Sequence, residues 1–350
     1  MAVAYPGGAV SNTFVPTFEA SNSLIIGYSR NPKKFKLAQY SKYVPVKKIA
    51  GYYLYLTALE AGRIINTGLN DFVWADNQEA PMGNNNLESF QFVYFNTTRY
   101  VFPFSVGDIA VEMADWELIA WMGGVAAQKA ITARTQYAWN ILGTSGNFGT
   151  STSTATALAG GQLDAGTQTS PFLKIAIGAA CEQILQQTLG VLGSDRSALV
   201  MVMNPHTARL ISQSSELMAY FVNNKFALAQ ARGDEPGQNA EWGLPDQIYG
   251  IKVVVEDAAK VTSKKGATTP TFAYVCPAQM VLIMARPGGI DGMEGIPEFS
   301  SAQFHFREEF TTETKNDPDN RRTIGRVVEN YWFGLTDTRS TYLITAATAS

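Results

Sequence analysis

The spacing of apolar and polar residues changes character several times along the chain. Residues 1 to 48 carry Pro6, Pro16, Pro32 and Pro45 among scattered Gly, Ser and Asn with little periodicity, which predicts an extended arm rather than a packed domain. From Phe72 to Val111 aromatic and polar runs alternate, with Pro81, Gly83 and Asn84 to Asn86 in the middle. That pattern predicts two long strands joined by a turn-rich tip, because Asn and Gly tolerate positive φ and Pro interrupts a ladder. Residues 114 to 143 then take helical spacing, with Asp115 and Glu117 at the start and Gly143 at the end. Such a helix would span roughly 45 Å, with Gly123-Gly124 as its bend or close-packing point.

Residues 144 to 169 are biased to Gly, Ser, Thr and Ala, so a mobile loop is expected there. Ser170-Pro171 reads as an N-cap followed by proline in the first helical position, opening "FLKIAIGAACEQILQQTLG". Leu199 to Met203 is a short continuous apolar run, the pattern of a strand buried on both faces, and Asn204-Pro205 repeats the cap-and-proline start. The strand-like runs "GIKVVVEDA" and "FAYVCPAQMVLIMAR" add to a central sheet covered by helices. After Pro297 the pattern becomes all-β. "FSSAQFHFREEF", the polar tip "TTETKNDPDNRRTIG", "RVVENYWFGL" and "STYLITA" read as a second antiparallel group, and the class is α+β.

Composition adds two points. A chain of 350 residues is long enough for two packed domains, and its charged fraction of 16% against 46% hydrophobic residues suggests a surface covered largely by partner subunits. Charge is also segregated. Arg30 to Lys48 holds seven cations and no acid, while Ile49 to Glu117 holds nine acids, among them Asp71, Asp76, Glu79 and Glu88, against Arg63 and Arg99. The N-terminus lacks the basic and apolar regions of a secretion signal, and no run approaches eighteen apolar residues, so no membrane partner is expected.

Little in the chain points to chemistry. It has two histidines and two cysteines, with no phosphate-binding, zinc-protease, nucleophile-elbow or dinucleotide signature, so no catalytic residue, cofactor or metal is assigned. His206 falls near the second position of its helix, with no partner for catalysis beside it in the sequence. His305 alternates with Phe304 and Phe306, which predicts a solvated or interface position. Glu308-Glu309 and Asp317 with Asp319 read as strand-end and hairpin-tip charges, though paired carboxylates leave a carboxylate-dependent hydrolase as an alternative. Phe35, Tyr40 and Tyr43 interleave with the arm's lysines in a way compatible with nonspecific contact with a nucleic-acid backbone.

Taken in order, the segments resemble the major capsid proteins of tailed bacteriophages, whose fold is named after phage Hong Kong 97. The echoes are "YVFPFSVGDIAVEMADWELIAWMGG" running on to "ARTQYAWNILGTS", which resembles the passage from extended loop into spine helix, and "SALVMVMNPHTARLI", which resembles a strand and helix start of the axial domain. "GLPDQIYGIKVVVEDA" and "FAYVCPAQMVLIMARPG" are similar to the next sheet segments.

The resemblance implies an arm and approach to the peripheral domain over 1–61, an extended loop over 62–107, and a peripheral domain with spine helix over 108–143. An axial domain over 144–297 and returning peripheral strands over 298–350 complete it. It further implies a structural, non-enzymatic subunit that forms hexamers and pentamers of an icosahedral shell around double-stranded DNA, assembled in a bacterial cytoplasm and resident in the virion. Expected partners are further copies, a separate scaffolding protein, a portal protein and any decoration protein as its own chain. Lys33, Lys34 and Lys36 would lie against Asp71, Asp76, Glu79 and Glu88 of a neighbour. The tip with Lys315, Arg321 and Arg322 would meet other neighbours. No lysine occurs between Lys48 and Lys129, so the extended loop has none for covalent cross-linking. An encapsulin-type compartment of the same fold is the nearer alternative.

Overall fold

The computed structural model describes residues 35–55, 76, 91–114, 117–192, 195–223, 241–289 and 299–349. In chain order the strands are β1 (Lys42–Pro45), β2 (Ala50–Tyr55), β3 (Gln91–Asn96), β4 (Thr98–Gly107), β5 (Thr152–Thr154), β6 (Leu199–Met203) and β7 (Gln247–Ile248). They continue as β8 (Ile251–Val255), β9 (Ala259–Val261), β10 (Phe272–Tyr274), β11 (Val281–Ala285), β12 (Ala302–Asp317), β13 (Arg322–Leu335) and β14 (Thr341–Thr345). The helices are α1 (Asp108–Met113), α2 (Leu118–Leu142), α3 (Ala155–Ala159), α4 (Phe172–Gln187), α5 (Pro205–Ser212) and α6 (Ser215–Asn223).

Two sheets organise the molecule. A six-stranded sheet runs β5-β14-β11-β6-β8-β7, and a four-stranded sheet runs β1-β12-β13-β4. The run Leu199 to Met203 is buried throughout, as its continuous apolar pattern requires. Leu199, Met201 and Met203 face a core with Leu173, Ile177 and Ile184 of α4, while Val200 and Val202 face a second core with Trp139 and Leu142 of α2. Phe304, Phe306, Tyr331 and Phe333 of β12 and β13 belong to that second core, so it joins the two sheets.

The corner after β6 forms as the sequence predicts. Asn204 Oδ1 accepts the Thr207 N–H at 3.0 Å and Pro205 opens α5. Asn204 Nδ2 also donates to the Cys276 carbonyl at 3.2 Å, tying the corner to the segment before β11. The start of α4 differs from expectation. Pro171 stands outside the helix, and the amides of Leu173 and Lys174 donate instead to the buried Glu216 carboxylate of α6, at 3.0 Å each. That carboxylate accepts the Tyr249 hydroxyl too, at 2.7 Å.

Several expectations are corrected. Residues 144 to 169 are ordered, because Phe148, Ala155 and Leu163 sink into the cores and Thr154 caps α3. The long helix begins at Leu118 and runs unbroken through Gly123-Gly124. A Cβ at Gly124 would meet nothing within 4 Å and one at Gly123 only the Phe104 ring at 3.9 Å, an ordinary van der Waals distance, so close packing does not require glycine at either position. Strand β14 leaves the antiparallel group and sits inside the six-stranded sheet, antiparallel to β11 and parallel to β5. Of the expected aromatic hairpin, the first strand from Phe72, Asp76 apart, lies outside the described residues; the second divides into β3, which pairs with β2, and β4, which pairs with β13 in the four-stranded sheet. The tip expected around Pro81 to Asn86 lies outside the described residues. At residues 35 to 48 the arm is already built in, with Leu37 and Tyr40 buried and β1 parallel to β12.

Two buried polar clusters fix these parts. The Tyr40 hydroxyl donates to Glu256 Oε2 at 2.8 Å and accepts Trp139 Nε1–H at 3.1 Å, while Glu256 Oε1 takes the Ala258 N–H. Arg134 of α2 pairs with the buried Glu329 and with Glu309, its guanidinium 4.4 Å from the Phe306 ring centre and 4.7 Å from that of Phe310. Burial pushes the Glu329 carboxyl up and Arg134 pulls it back down.

His305 is not solvated. It is buried, stacked on Trp332 at 5.4 Å and flanked by Tyr53 of β2 and Phe95 of β3 at 5.1 and 4.8 Å. The β2–β3 pair covers the face of the four-stranded sheet that the sequence alone leaves open. Burial holds the imidazole neutral, pushing its pKa down to about 4.

Two outcomes follow from this packing. Tyr40→Phe, which removes the donor to Glu256, is expected to cost about 1–3 kcal/mol. Urea unfolding checks it, and an unchanged midpoint would contradict the account. The unfolded chain binds a proton at residue 305 more readily than the folded one. The His305 contribution is therefore complete above about pH 6.5 and is lost as pH falls toward 4, amounting to about 3 kcal/mol at 1.36 kcal/mol per unit. His305→Phe should flatten the pH dependence of stability across that window, and equal slopes in the two proteins would remove His305 as its source.

Candidate functional surfaces

The described residues hold no group of His, Cys, Asp and Glu able to bind a metal, and both cysteines are buried and free. Of the four carboxylates considered for hydrolysis, Glu309 pairs with Arg134, Glu308 lies 3.7 Å from Arg99 and Asp317 pairs with Arg322 at 2.9 Å, while Asp319 is exposed at the hairpin tip. His206 occupies the second position of α5, next to the Asn204 cap and Pro205 that make the turn. Among the described residues no helix is long and apolar enough to cross a membrane. What the chain offers is surface.

Three surfaces project from the sheets. The first is the long β12–β13 hairpin, thirteen of whose register pairs run from Ala302↔Leu335 to Asp317↔Arg322. Its end is set by Pro318 and by Arg321, which adopts the left-handed region at φ 45°. Asn320 donates to Asp317 at 2.8 Å and Arg322 at 2.9 Å, and these two bonds hold the Asp317 carboxyl below its usual range. The hairpin thus brings Lys315, Arg321 and Arg322 to one tip. Arg322 is occupied by its own turn, while Lys315 and Arg321 are exposed. The Arg321 carbonyl accepts the Asp108 N–H at 3.0 Å, joining the tip to α1.

The second surface is the outer face of the β2–β3 pair. Tyr53 and Phe95 turn inward to His305, and Tyr52, Phe92 and Tyr94 turn outward, exposed and in mutual ring contact at 6.4 and 5.3 Å. The alternation in "FQFVYFN" carries this signal, since period two puts every second aromatic on the far face. The third is the small β9–β10 hairpin, whose exposed Val261, Phe272 and Tyr274 the sequence reading passed over. Its turn signal "SKKGATTP" was there to be seen.

Of the expected arm contacts, Lys36 stands just before the turn Leu37–Gln39 and lines a cavity of about 370 Å³ with Gln39, Asp246, Gln247 and Lys252. Asp76 is exposed. Lys33, Lys34, Asp71, Glu79 and Glu88 lie outside the described residues.

No protein-family model matches the chain, and no curated protein matches it in sequence. Solved structures do match. The capsid of cyanophage P-SCSP1u superimposes with a TM-score of 0.56 at 13% identity, covering 99% of this chain and 100% of that one. The mature capsid protein of bacteriophage PhiM1 gives 0.53 at 13% identity over 92% and 89% of the two chains. A phage-related protein of Bordetella bronchiseptica gives 0.53 at 14% identity over 91% and 94%. At such identities the likeness is one of fold. Its near-complete coverage includes both sheets, the long helix and the projecting hairpins, and the chain has the phage major capsid protein fold.

Proposed function

We propose that the chain is the structural subunit of a viral shell, self-assembling into hexamers and pentamers that enclose double-stranded DNA. The observation that carries the reading is end-to-end superposition on the cyanophage capsid, covering 99% of this chain and all of that one. The surface supports it: aromatic residues are exposed on the β2–β3 face, the chain has a low charged fraction, and the described residues contain no assembled catalytic or metal site. Each contact between copies is weak by itself. Closure of a shell makes the later contacts intramolecular in effect, so many weak contacts hold jointly.

In this reading Lys33, Lys34 and Lys36 meet the acidic stretch of a neighbour's extended loop, including Asp71, Asp76, Glu79 and Glu88, and Lys315 and Arg321 meet neighbours at the hairpin tip. A separate scaffolding protein directs closure, a portal protein occupies one vertex, any decoration protein is its own chain, and contact with packaged DNA is nonspecific. With no lysine between Lys48 and Lys129, the extended loop forms no lysine cross-link.

Electron microscopy of the purified chain, with and without co-expressed scaffolding protein, is expected to show closed shells. Persistent monomers or small oligomers under all conditions would overturn the reading. Reversing Lys33, Lys34 and Lys36 to Glu is expected to abolish shells while the melting curve stays that of the original chain, and normal assembly of that variant would remove the arm contact. Shells dissolved in detergent without heating should run as chains of 38.1 kDa, and a ladder of higher species would disprove noncovalent assembly.

A further inference from the structure

Two exposed surfaces on opposite parts of the chain match each other in charge and in apolar character. The β9–β10 hairpin pairs Phe272 with Val261 and Tyr274 with Ala259, so these four side chains share one face. Phe272 is 69% exposed and Val261 60%. From Ala258 to Cys276 the hairpin carries Lys260, Lys264 and Lys265 and no acid, and Lys264 and Lys265 sit exposed beside its Gly266 turn. An apolar face rimmed by lysines calls for an apolar surface rimmed by acids.

Such a surface lies on α1 and the first turns of α2. Both helices seat on Phe104 and Val106 through Ala110 and Ala126, which leaves Ile109 58% exposed and Met113 49%, with Val125 exposed further along. Glu112 and Glu117 are exposed beside them, and no Lys or Arg occurs between Arg99 and Lys129.

The two surfaces do not meet within one chain. Lys260 Nζ donates to Gln136 Oε1 and so moors the hairpin to the C-terminal half of α2. Gln136 lies nineteen positions beyond Glu117, about 28 Å along a helix, whereas the hairpin tip at Lys265 lies about 17 Å of strand from Lys260. We propose that the β9–β10 hairpin of one copy docks on the α1–α2 face of the next, Phe272 and Val261 against Ile109 and Met113, with Lys264 and Lys265 facing Glu112 and Glu117. The two surfaces differ, so the contact is head-to-tail, and repetition closes a ring. The proposal rests on the shell reading above and assigns that reading a contact between ring neighbours.

The test uses the full chain, with sedimentation and electron microscopy reporting assembly and thermal melting reporting the fold. Lys264→Glu with Lys265→Glu is expected to raise the concentration for half-assembly at least about tenfold, with melting unchanged. Adding Glu112→Lys and Glu117→Lys to the same chain is expected to restore it to within about threefold. Phe272→Ser, an exposed position, should impair assembly likewise and serves if the lysine reversals fail to fold. Unchanged assembly in the lysine and Phe272 variants, or no restoration by the glutamate reversals, overturns the contact while the shell reading stands. A lysine variant defective only when scaffolding protein is present would assign the hairpin to that protein and overturn the copy-to-copy contact. A starting chain that never assembles overturns both.

Discussion

The buried carboxylate of Glu256 constrains where three parts of the molecule meet. It follows β8 of the six-stranded sheet, and its partner Tyr40 stands at the end of the arm segment, with Trp139 of the long helix donating to the same hydroxyl. A carboxylate removed from water is tolerated when donors surround it. One donor, the Ala258 N–H, is local; the other, the Tyr40 hydroxyl, comes from the arm segment and is itself held by Trp139, so arm, helix and sheet take one relative placement. Arg134 applies the same logic about one and a half turns before Trp139 on the helix, anchoring it to β12 and β13 through Glu309 and Glu329.

Packing of the same kind fixes the outward faces of a chain with a low charged fraction. Phe104 and Val106 of β4 support α1 and α2, and the ring of Phe104 lies over Gly325 of β13, where a Cβ would approach it to 2.1 Å. The outward-facing residues of α1 and of the first turns of α2 are held from beneath by this packing. Placement of this kind matters more for a surface used many times in one assembly than the strength of any one contact.

How much was legible in the sequence depended on whether the cause was local. The strand Leu199 to Met203, the Asn204 cap and Pro205 were readable because their causes lie within a few residues. The order of segments was readable for the same reason, and with it the fold. The cap on α4 was not, because Glu216 reaches it from another helix, and neither was the burial of His305, whose cover comes from β2 and β3. The glycine- and serine-rich stretch 144 to 169 misled through composition: three buried anchors, Phe148, Ala155 and Leu163, outweigh the polar majority around them. Among the surfaces, the aromatic alternation of β3 was visible, whereas β9 and β10, three residues each, are too short for a period of two to mark them as strands.

Strand β14 has a consequence in time as well as in space. It lies inside the six-stranded sheet between β5 and β11, and the bond from Thr152 to the Leu343 carbonyl closes a separation of 191 residues. During synthesis the ladder edges of β5 and β11 therefore wait for a strand the ribosome has not yet made, and pairing over such separations is slow. A chain still on the ribosome has an unfinished sheet and cannot yet present its finished surfaces. Translation itself thus sets a delay between the appearance of the first residues and the completion of the six-stranded sheet.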